Sequence, residues 1–324
     1  MKKNIAIIMG GYSSEYKISI KSGEVVYKTL SKEKDINLYK VIIKKDEWYH
    51  EDKDFKKYEI KKDTFQIIKN DQLISIDLVF NTIHGIPGEN GEIQSYLEKI
   101  GINQTSSESY ESKITFDKNI CKEEIKKIGY LTPKSLIINK NDDYNVEEIL
   151  SKLKLPIFIK PNAGGSSFGI SRVDDKKNII NSINFCFKED DNALIEEEIS
   201  GREISVGVIN YKNKIISLPP TEIISHNSFF DYDAKYNGES DEITPADITK
   251  EEEDEVRKIS LDIYKKLNIK GFSRCDFILR NNLFYFLEVN TNPGLTEESI
   301  LPQQAIAANI SLKDLFRSVI DKYE

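Results

Sequence analysis

An α/β fold is expected for this chain, with an N-terminal open parallel-sheet unit followed by two further sheet-bearing units. Three features point to it. An apolar run at residues 5–9 ends in Gly10-Gly11 and leads into a helical pattern, a second run at 76–80 leads into His84-Gly85, and a strand-turn-strand pattern is centred on Asn281-Asn282. Strand, glycine loop and helix in alternation is the sequence form of an open α/β sheet. A length of 324 residues suits two or three cores of ordinary size.

The first unit is expected to run over residues 1–104. Residues 5–9 read as a buried parallel strand, because the run is apolar without alternation. Residues 14–30 carry Ile18, Val25, Val26 and Leu30 at roughly helical spacing. Residues 94–100 read as a helix stopped by Gly101. Residues 46–70, rich in Lys, Asp, Glu and Tyr, read as surface strands and loops without chemistry.

The second unit, 105–200, opens with a helix over 118–128 that Gly129 stops. Strands at 136–138 and 156–160 follow, then the glycine-serine loop 164–169 and an extended segment at 193–199 crowded with glutamates. The third unit, 201–324, is expected to hold a strand at 202–209, a helix over 250–267, and strands at 272–279 and 283–289. Those last two form a hairpin across Asn281-Asn282, a pair that tolerates positive φ.

Composition excludes several classes. Hydrophobic residues at 39% and charged residues at 31% match a globular chain, not a disordered or membrane-spanning one. A net charge of −8 argues against general affinity for nucleic acid or anionic lipid, while leaving room for a local basic site. Cys121, Cys186 and Cys275 form no metal-binding pattern and read as free thiols in a reducing compartment. The apolar stretch near the start is too short for a signal segment or membrane span, so a cytoplasmic location is expected.

The sharpest local chemistry is Arg274-Cys275-Asp276 facing Glu288-Val289-Asn290. Side chains alternate along a strand, so Glu288 and Asn290 share a face, and folding the hairpin brings Asp276 to within about one residue of Glu288. Three oxygen donors then converge, as a hard divalent cation such as Mg²⁺ requires. The same face reads alternatively as the solvated side of a half-exposed hairpin. Two acids directly across a sheet repel unless something positive lies between them, which favours the metal. The loop from Lys160 to Gly169 follows an apolar strand and offers glycine backbone, hydroxyls and amides to phosphates. It is neither a P-loop nor a dinucleotide fingerprint, and by itself it also reads as an ordinary turn.

Taken together, these pieces resemble the D-alanine–D-alanine ligase family of the ATP-grasp superfamily. The resemblance is carried in order by Met9-Gly10-Gly11-Tyr12-Ser13-Ser14-Glu15, His84-Gly85-Ile86-Pro87-Gly88-Glu89-Asn90-Gly91, Asp117-Lys118, the loop at 160–169 and Leu194-Ile195-Glu196. It continues through Phe230-Asp231-Tyr232-Asp233-Ala234-Lys235-Tyr236, Ser273-Arg274-Cys275-Asp276 and the segment 288–296. It implies a two-subdomain ATP-grasp fold after the N-terminal domain, with ATP between the second and third units. The reaction implied is ligation of two D-alanine molecules through a D-alanyl phosphate, for peptidoglycan precursors.

The resemblance also implies site roles. Lys118, Lys160 and Lys235 meet phosphate charge, and Ser167 beside Ser166 closes over the γ-phosphate. Glu196, Glu197 and Ile199 offer backbone to the adenine, and Glu203 takes the ribose hydroxyls. For Glu197 and Glu198 the side chains themselves read as surface charge. Asp276, Glu288 and Asn290 hold two Mg²⁺ ions, with Mn²⁺ as an alternative. Glu15 fixes the ammonium of the first D-alanine and is linked through Ser166 to Tyr236. Arg274 and the Gly294 N–H stabilise an oxyanion; Arg274 beside Asp276 also reads as a plain ion pair. Ser299 receives the second D-alanine, and His84 sits near the substrate pocket. A homodimer is implied as well.

Some residues depart from the family pattern. Tyr16 follows Glu15 where a basic residue is usual, Asn90 stands where aspartate is usual, and Asn292 occupies a variable position. Tyr16 and residues 46–50 resemble vancomycin-resistance ligases that join D-alanine to D-serine. Tyr236, by contrast, occupies a position where lactate-using relatives commonly lack tyrosine. Ile300 is aliphatic where resistance ligases typically carry arginine. An apolar wall fits the methyl of D-alanine, although discrimination against one added hydroxyl is only on the order of 10²-fold. D-alanine is therefore expected in the second site, with D-serine as the alternative.

Overall fold

The computed structural model describes residues 2–165, 168–225 and 240–323. Eight strands build the N-terminal sheet: β1 (Lys3–Gly10), β2 (Ile36–Ile43), β3 (Trp48–Glu51), β4 (Lys57–Lys61), β5 (Gln66–Lys69), β6 (Gln72–Ile74), β7 (Leu78–Asn81) and β8 (Asn103–Gln104). Their spatial order is β6-β5-β4-β3-β2-β1-β7-β8. The pairs β1–β2, β1–β7 and β7–β8 are parallel, and β3 to β6 add an antiparallel meander along one edge. Helices α1 (Tyr16–Leu30) and α2 (Glu92–Lys99) make the crossovers that parallel pairing requires. Ile5, Ala6, Ile7, Ile8 and Met9 are all buried, as the non-alternating run predicts for a central strand covered on both faces. The lysine- and tyrosine-rich stretch is the meander itself, held partly by lysines over rings, such as Lys57 Nζ 4.1 Å from the Tyr49 centroid.

Helices α3 (Ser109–Phe116) and α4 (Lys118–Lys127) lead into a four-stranded antiparallel sheet. Its strands are β9 (Ser135–Asn139), β10 (Ile157–Pro161), β11 (Ser171–Val173) and β12 (Asn192–Glu197), in the order β11-β10-β12-β9. Helices α5 (Val146–Lys152) and α6 (Ile179–Cys186) cover it with Ile149, Ile179 and Ile183.

Among the described residues, the C-terminal sheet has six strands: β13 (Arg202–Tyr211), β14 (Lys214–Ser217), β15 (Thr221–Ser225), β16 (Ser240–Ile243), β17 (Ser273–Arg280) and β18 (Leu283–Asn290). Its path is β16-β15-β13-β17-β18, with β14 on β13. Helices α7 (Lys250–Lys266), α8 (Ile300–Ala307) and α9 (Leu312–Ile320) complete the chain. A reciprocal capping box between Thr249 and Glu252 starts α7. Two long-range returns tie the units together. Cys121 and Ile125 of α4 belong to the core of the C-terminal sheet, while Leu315, Phe316 and Val319 of α9 pack with Ile5, Ile7 and Phe80 of the N-terminal sheet. Among the described residues, no helix is long and apolar enough to cross a membrane.

Candidate active site

The hairpin places its polar residues on one face. Asn281 and Asn282 take φ of 51° and 60°, closing a two-residue turn between β17 and β18. The register sets Asp276 opposite Glu288 and Arg274 opposite Asn290, and it shifts between Asp276 and Phe277. This bulge accommodates Leu287 as an extra residue while Phe277 and Phe286 stay paired in the core.

Asp276 is the hub of that face. Arg274 donates to it through Nε at 2.9 Å and Nη2 at 2.7 Å, a bidentate grip. Ser205 Oγ donates at 2.5 Å from β13, and Asn290 Nδ2 at 3.2 Å. Burial opposes the charge on Arg274, but Asp276 and then Glu288 outweigh it, so its pKa is raised. Asp276 is 5% exposed, whereas the Glu288 side chain retains 28% exposure toward the cleft. Among the described residues, no cluster of three or more His, Cys, Asp and Glu is arranged for a metal. Two carboxylates and an amide oxygen do fit a hard cation that completes its shell with phosphate oxygens and water.

Opposite the hairpin stands Lys118, the first residue of α4. Asp117 caps this helix by accepting from Ile120 N at 2.8 Å. Asn162 anchors the same end, its backbone oxygen accepting from Lys118 N at 3.0 Å and its Oδ1 from Asn119 N at 2.9 Å. Lys118 Nζ donates to Gly164 O at 2.5 Å and lies 3.5 Å from Glu288. It therefore bridges the glycine loop and the hairpin, placing positive charge beside the paired acids.

The nucleotide-side candidates follow the seam from β10 through β12 to β13. Lys160 is the penultimate residue of β10 and pairs with Glu196 on β12 at 2.7 Å. Burial opposes the charge on Lys160, but Glu196, Glu288 and Glu203 outweigh it and raise its pKa. Glu196, 3% exposed, has its carboxyl held at about 2, because Lys160 and Lys122 overcome the burial that opposes ionisation. Its side chain is thus an ion-pair centre rather than surface charge. Glu197 accepts from Lys154 N at 2.8 Å, and Glu198 accepts from Arg172 Nε at 3.0 Å. Ile199 lies in the short link between β12 and β13, whose Gly201 has no room for a side chain: a Cβ would meet Leu279 O at 2.3 Å. Glu203 is part-buried on β13.

A cleft of about 420 Å³ collects the remaining candidates: Glu15, His84, Lys118, Arg274, Glu288, Asn290, Gly294, Ser299 and Ile300 all line it. Glu15 stands at the start of α1 and is 7% exposed. Gly165 presses against it so closely that a Cβ there would lie 2.8 Å from Glu15 Oε1. His84 has both ring nitrogens engaged by protein, Nε2 with Ser22 Oγ at 3.0 Å and Nδ1 with Asn292 O at 3.1 Å. Ser299 is the N-cap of α8 without a side-chain cap bond; its Oγ instead meets Thr296 Oγ1 at 2.8 Å. Ile300, 5% exposed, starts α8 as an apolar wall. Ser166, Ser167, Lys235 and Tyr236 lie outside the described residues.

Sequence reasoning missed two charged groups. Glu89 lines the same cleft, and burial followed by Glu15 pushes its carboxyl well up, while its Oε2 accepts from Gly85 N at 2.9 Å. Its presence in the segment with His84 was a usable signal. Lys122 is fully buried beside Glu196, and its position one helical turn after Lys118 was the only sequence clue.

Comparison with known proteins agrees along the whole length. Residues 4–107 match the family profile described as D-ala D-ala ligase N-terminus, and residues 122–321 the profile described as D-ala D-ala ligase C-terminus. The chain is 50% identical over 321 residues to a D-alanine–D-alanine ligase of Christiangramia forsetii, covering 99% of this chain and 98% of that protein. Among solved structures it is similar to the VanG D-Ala:D-Ser ligase of Enterococcus faecalis, with TM-score 0.89, 30% identity and complete coverage of both chains. It is also similar to a D-alanine–D-alanine ligase of Bacillus anthracis complexed with ATP, with TM-score 0.79 and 32% identity over 99% of this chain and 97% of that one.

Proposed function

The chain belongs to the D-alanine–D-alanine ligase family and is an ATP-dependent ligase of two D-alanine molecules, and we propose that the cleft between the glycine loop and the β17–β18 hairpin carries the reaction. The observation that carries this placement is the direct register of Asp276 with Glu288, facing Lys118 in a cleft shared with Glu15 and Ser299.

Lys118 and Lys160, with Lys235, meet the phosphate charge of ATP, and Ser167 closes over the γ-phosphate. The backbone of Glu196, Glu197 and Ile199 reads the adenine, and Glu203 the ribose. Asp276, Glu288 and Asn290 would hold two Mg²⁺ ions, whose chemistry is to offset the charge of the transferring phosphoryl group; Mn²⁺ has similar ligand preferences. Glu15 fixes the ammonium of the first D-alanine, whose carboxylate attacks the γ-phosphorus and displaces ADP. The amine of the second D-alanine attacks the resulting D-alanyl phosphate and phosphate departs. Arg274 and the Gly294 N–H donate to the oxyanion of that step. Ser299 donates to the second substrate's carboxylate, while Ser166 and Tyr236 keep water from the acylphosphate.

Ile300 favours D-alanine over D-serine in the second site, because its side chain offers a hydroxyl no partner. The 30% identity to VanG does not favour the serine reading over the 50% identity to a D-alanine enzyme. We assign the reaction to the cytoplasm, in keeping with three buried free thiols, and the resemblance implies a homodimer.

Mass spectrometry of products from ATP, Mg²⁺ and D-alanine, with and without equimolar D-serine, tests this function. D-alanyl-D-alanine with one phosphate released per dipeptide, still dominant over D-alanyl-D-serine in the mixture, is the expected result. Phosphate release that requires D-serine, or none with any D-amino acid, overturns it.

A further inference from the structure

Lys122 is buried completely, yet its ammonium does not line the cleft and no step above uses it. It pairs with Glu196 Oε1, while Glu196 Oε2 pairs with Lys160 at 2.7 Å. One buried carboxylate thus holds two ammonium groups, with Glu288 and Glu203 acting on Lys160 from farther off. Burying a lysine beyond what neutralises its acid is unfavourable, so the second ammonium calls for a physical reason.

The two lysines are not equivalent. The Lys122 side chain is 1% exposed on the inner face of α4, whereas that of Lys160 is 12% exposed at the end of the strand that feeds the glycine loop. Of the two, Lys160 is the more accessible to an incoming anion. Were Lys160 the sole partner of Glu196, any turn toward phosphate would strand a carboxylate in the interior. With Lys122 in place, the carboxylate keeps an ion pair throughout.

We propose that Lys122 is a positioning residue: it is the fixed counter-ion of Glu196, and it allows Lys160 to exchange Glu196 for the phosphates of ATP. This rests on the reading of Lys160 as a phosphate ligand, and it adds a residue to which that reading gives no role.

The test compares the apparent KM and the directly measured Kd for MgATP, in the full chain, across a small set of variants. Lys122→Met should raise both about tenfold or more, with kcat at saturating ATP and KM for D-alanine within about twofold of the wild type, since Lys160 is now needed to hold Glu196. Lys122→Arg should restore affinity by restoring the pair. Glu196→Gln and Lys122→Met/Glu196→Gln should bind MgATP equally, because Lys122 acts only through the carboxylate. Lys122→Met with native ATP affinity overturns the proposal, as does a double variant weaker than Glu196→Gln. Lys160→Met separates the two ideas. If it leaves ATP affinity unchanged, the phosphate role of Lys160 fails; if it weakens ATP while Lys122→Met does not, only the counter-ion role fails. Should Lys122→Met not fold, wild-type protein with ¹⁵N-labelled lysine decides the matter. Saturation with MgATP in the absence of D-alanine should shift the Lys160 Nζ signal and leave that of Lys122 in place, and movement of both or of neither overturns the proposal.

Discussion

His84 Nδ1 lies 3.1 Å from the backbone oxygen of Asn292, and Asn292 Nδ2 returns a bond to Ile83 O at 2.8 Å. The loop that follows β7 is thereby latched to the segment that presents Gly294, across more than two hundred residues of chain. Ser22 extends the latch, meeting His84 Nε2 at 3.0 Å and accepting from Leu295 N at 3.3 Å. The segment carrying Gly294, the proposed oxyanion donor, just past β18, is thus tied to a histidine in the loop after β7.

Replacing His84 by Gln should lower kcat for dipeptide formation by about tenfold while changing Kd for ATP little, because the loss falls on alignment of the Gly294 N–H. A stability effect with a defined sign accompanies it. Burial lowers the pKa of His84 from 6.5, with Arg274 in the same direction and Glu15 and the Asn292 carbonyl opposing. The unfolded chain therefore binds more protons as pH falls through 6.5, so this group's contribution to stability is full above that value and is lost as pH drops toward the folded pKa. The difference in Tm between wild type and His84→Gln should narrow on acidification from pH 7.5 to roughly 5.5, a window spanning the ordinary histidine pKa. A constant difference would contradict a buried neutral imidazole.

Gly165→Ala places a methyl against Glu15 Oε1, where a Cβ would lie 2.8 Å away. The carboxylate or the loop must shift. KM for D-alanine should rise by about tenfold, on the scale of one weakened charged hydrogen bond, with less effect on ATP binding. Steady-state kinetics with each substrate varied in turn would show a rise in KM for ATP alone if Gly165 served only the nucleotide.

Arg274→Lys keeps the charge and removes the fork that grips both oxygens of Asp276 at 2.9 and 2.7 Å. A fall in kcat of about 10²–10³ is expected, the range for a lost oxyanion donor. Near-native kcat would return Arg274 to a purely structural ion pair.

Glu288→Gln leaves the hairpin register intact but removes one of two facing carboxylates. The Mg²⁺ concentration giving half-maximal velocity should rise by about tenfold or more, as one anionic ligand is lost. An unchanged titration curve would remove Glu288 from the metal site.

Much of this was legible in the sequence because it is local. Residues 5–9 announced a doubly covered strand, and Asn281-Asn282 fixed the hairpin closely enough to pair Asp276 with Glu288. What stayed hidden depends on contacts distant in sequence. Nothing near Lys122 reveals Glu196, which arrives on another element after 74 residues. The two hydrogen-bond partners of His84 come from α1 and from beyond β18, so its likeness to a substrate ligand could not be separated from a latching role. The return of α9 to the N-terminal sheet was equally unreadable, since an amphipathic helix states that it has a partner but not which one.

Crystals grown with ADP and Mn²⁺, with the ion located by its anomalous scattering, would show whether the facing acids hold the nucleotide's metal. Manganese bound by oxygens of Asp276, Glu288 and Asn290, with the diphosphate running toward Lys118 and Lys160, is the expected arrangement. Manganese elsewhere, with Asp276 still gripped by Arg274 and Glu288 facing no ion, would contradict it.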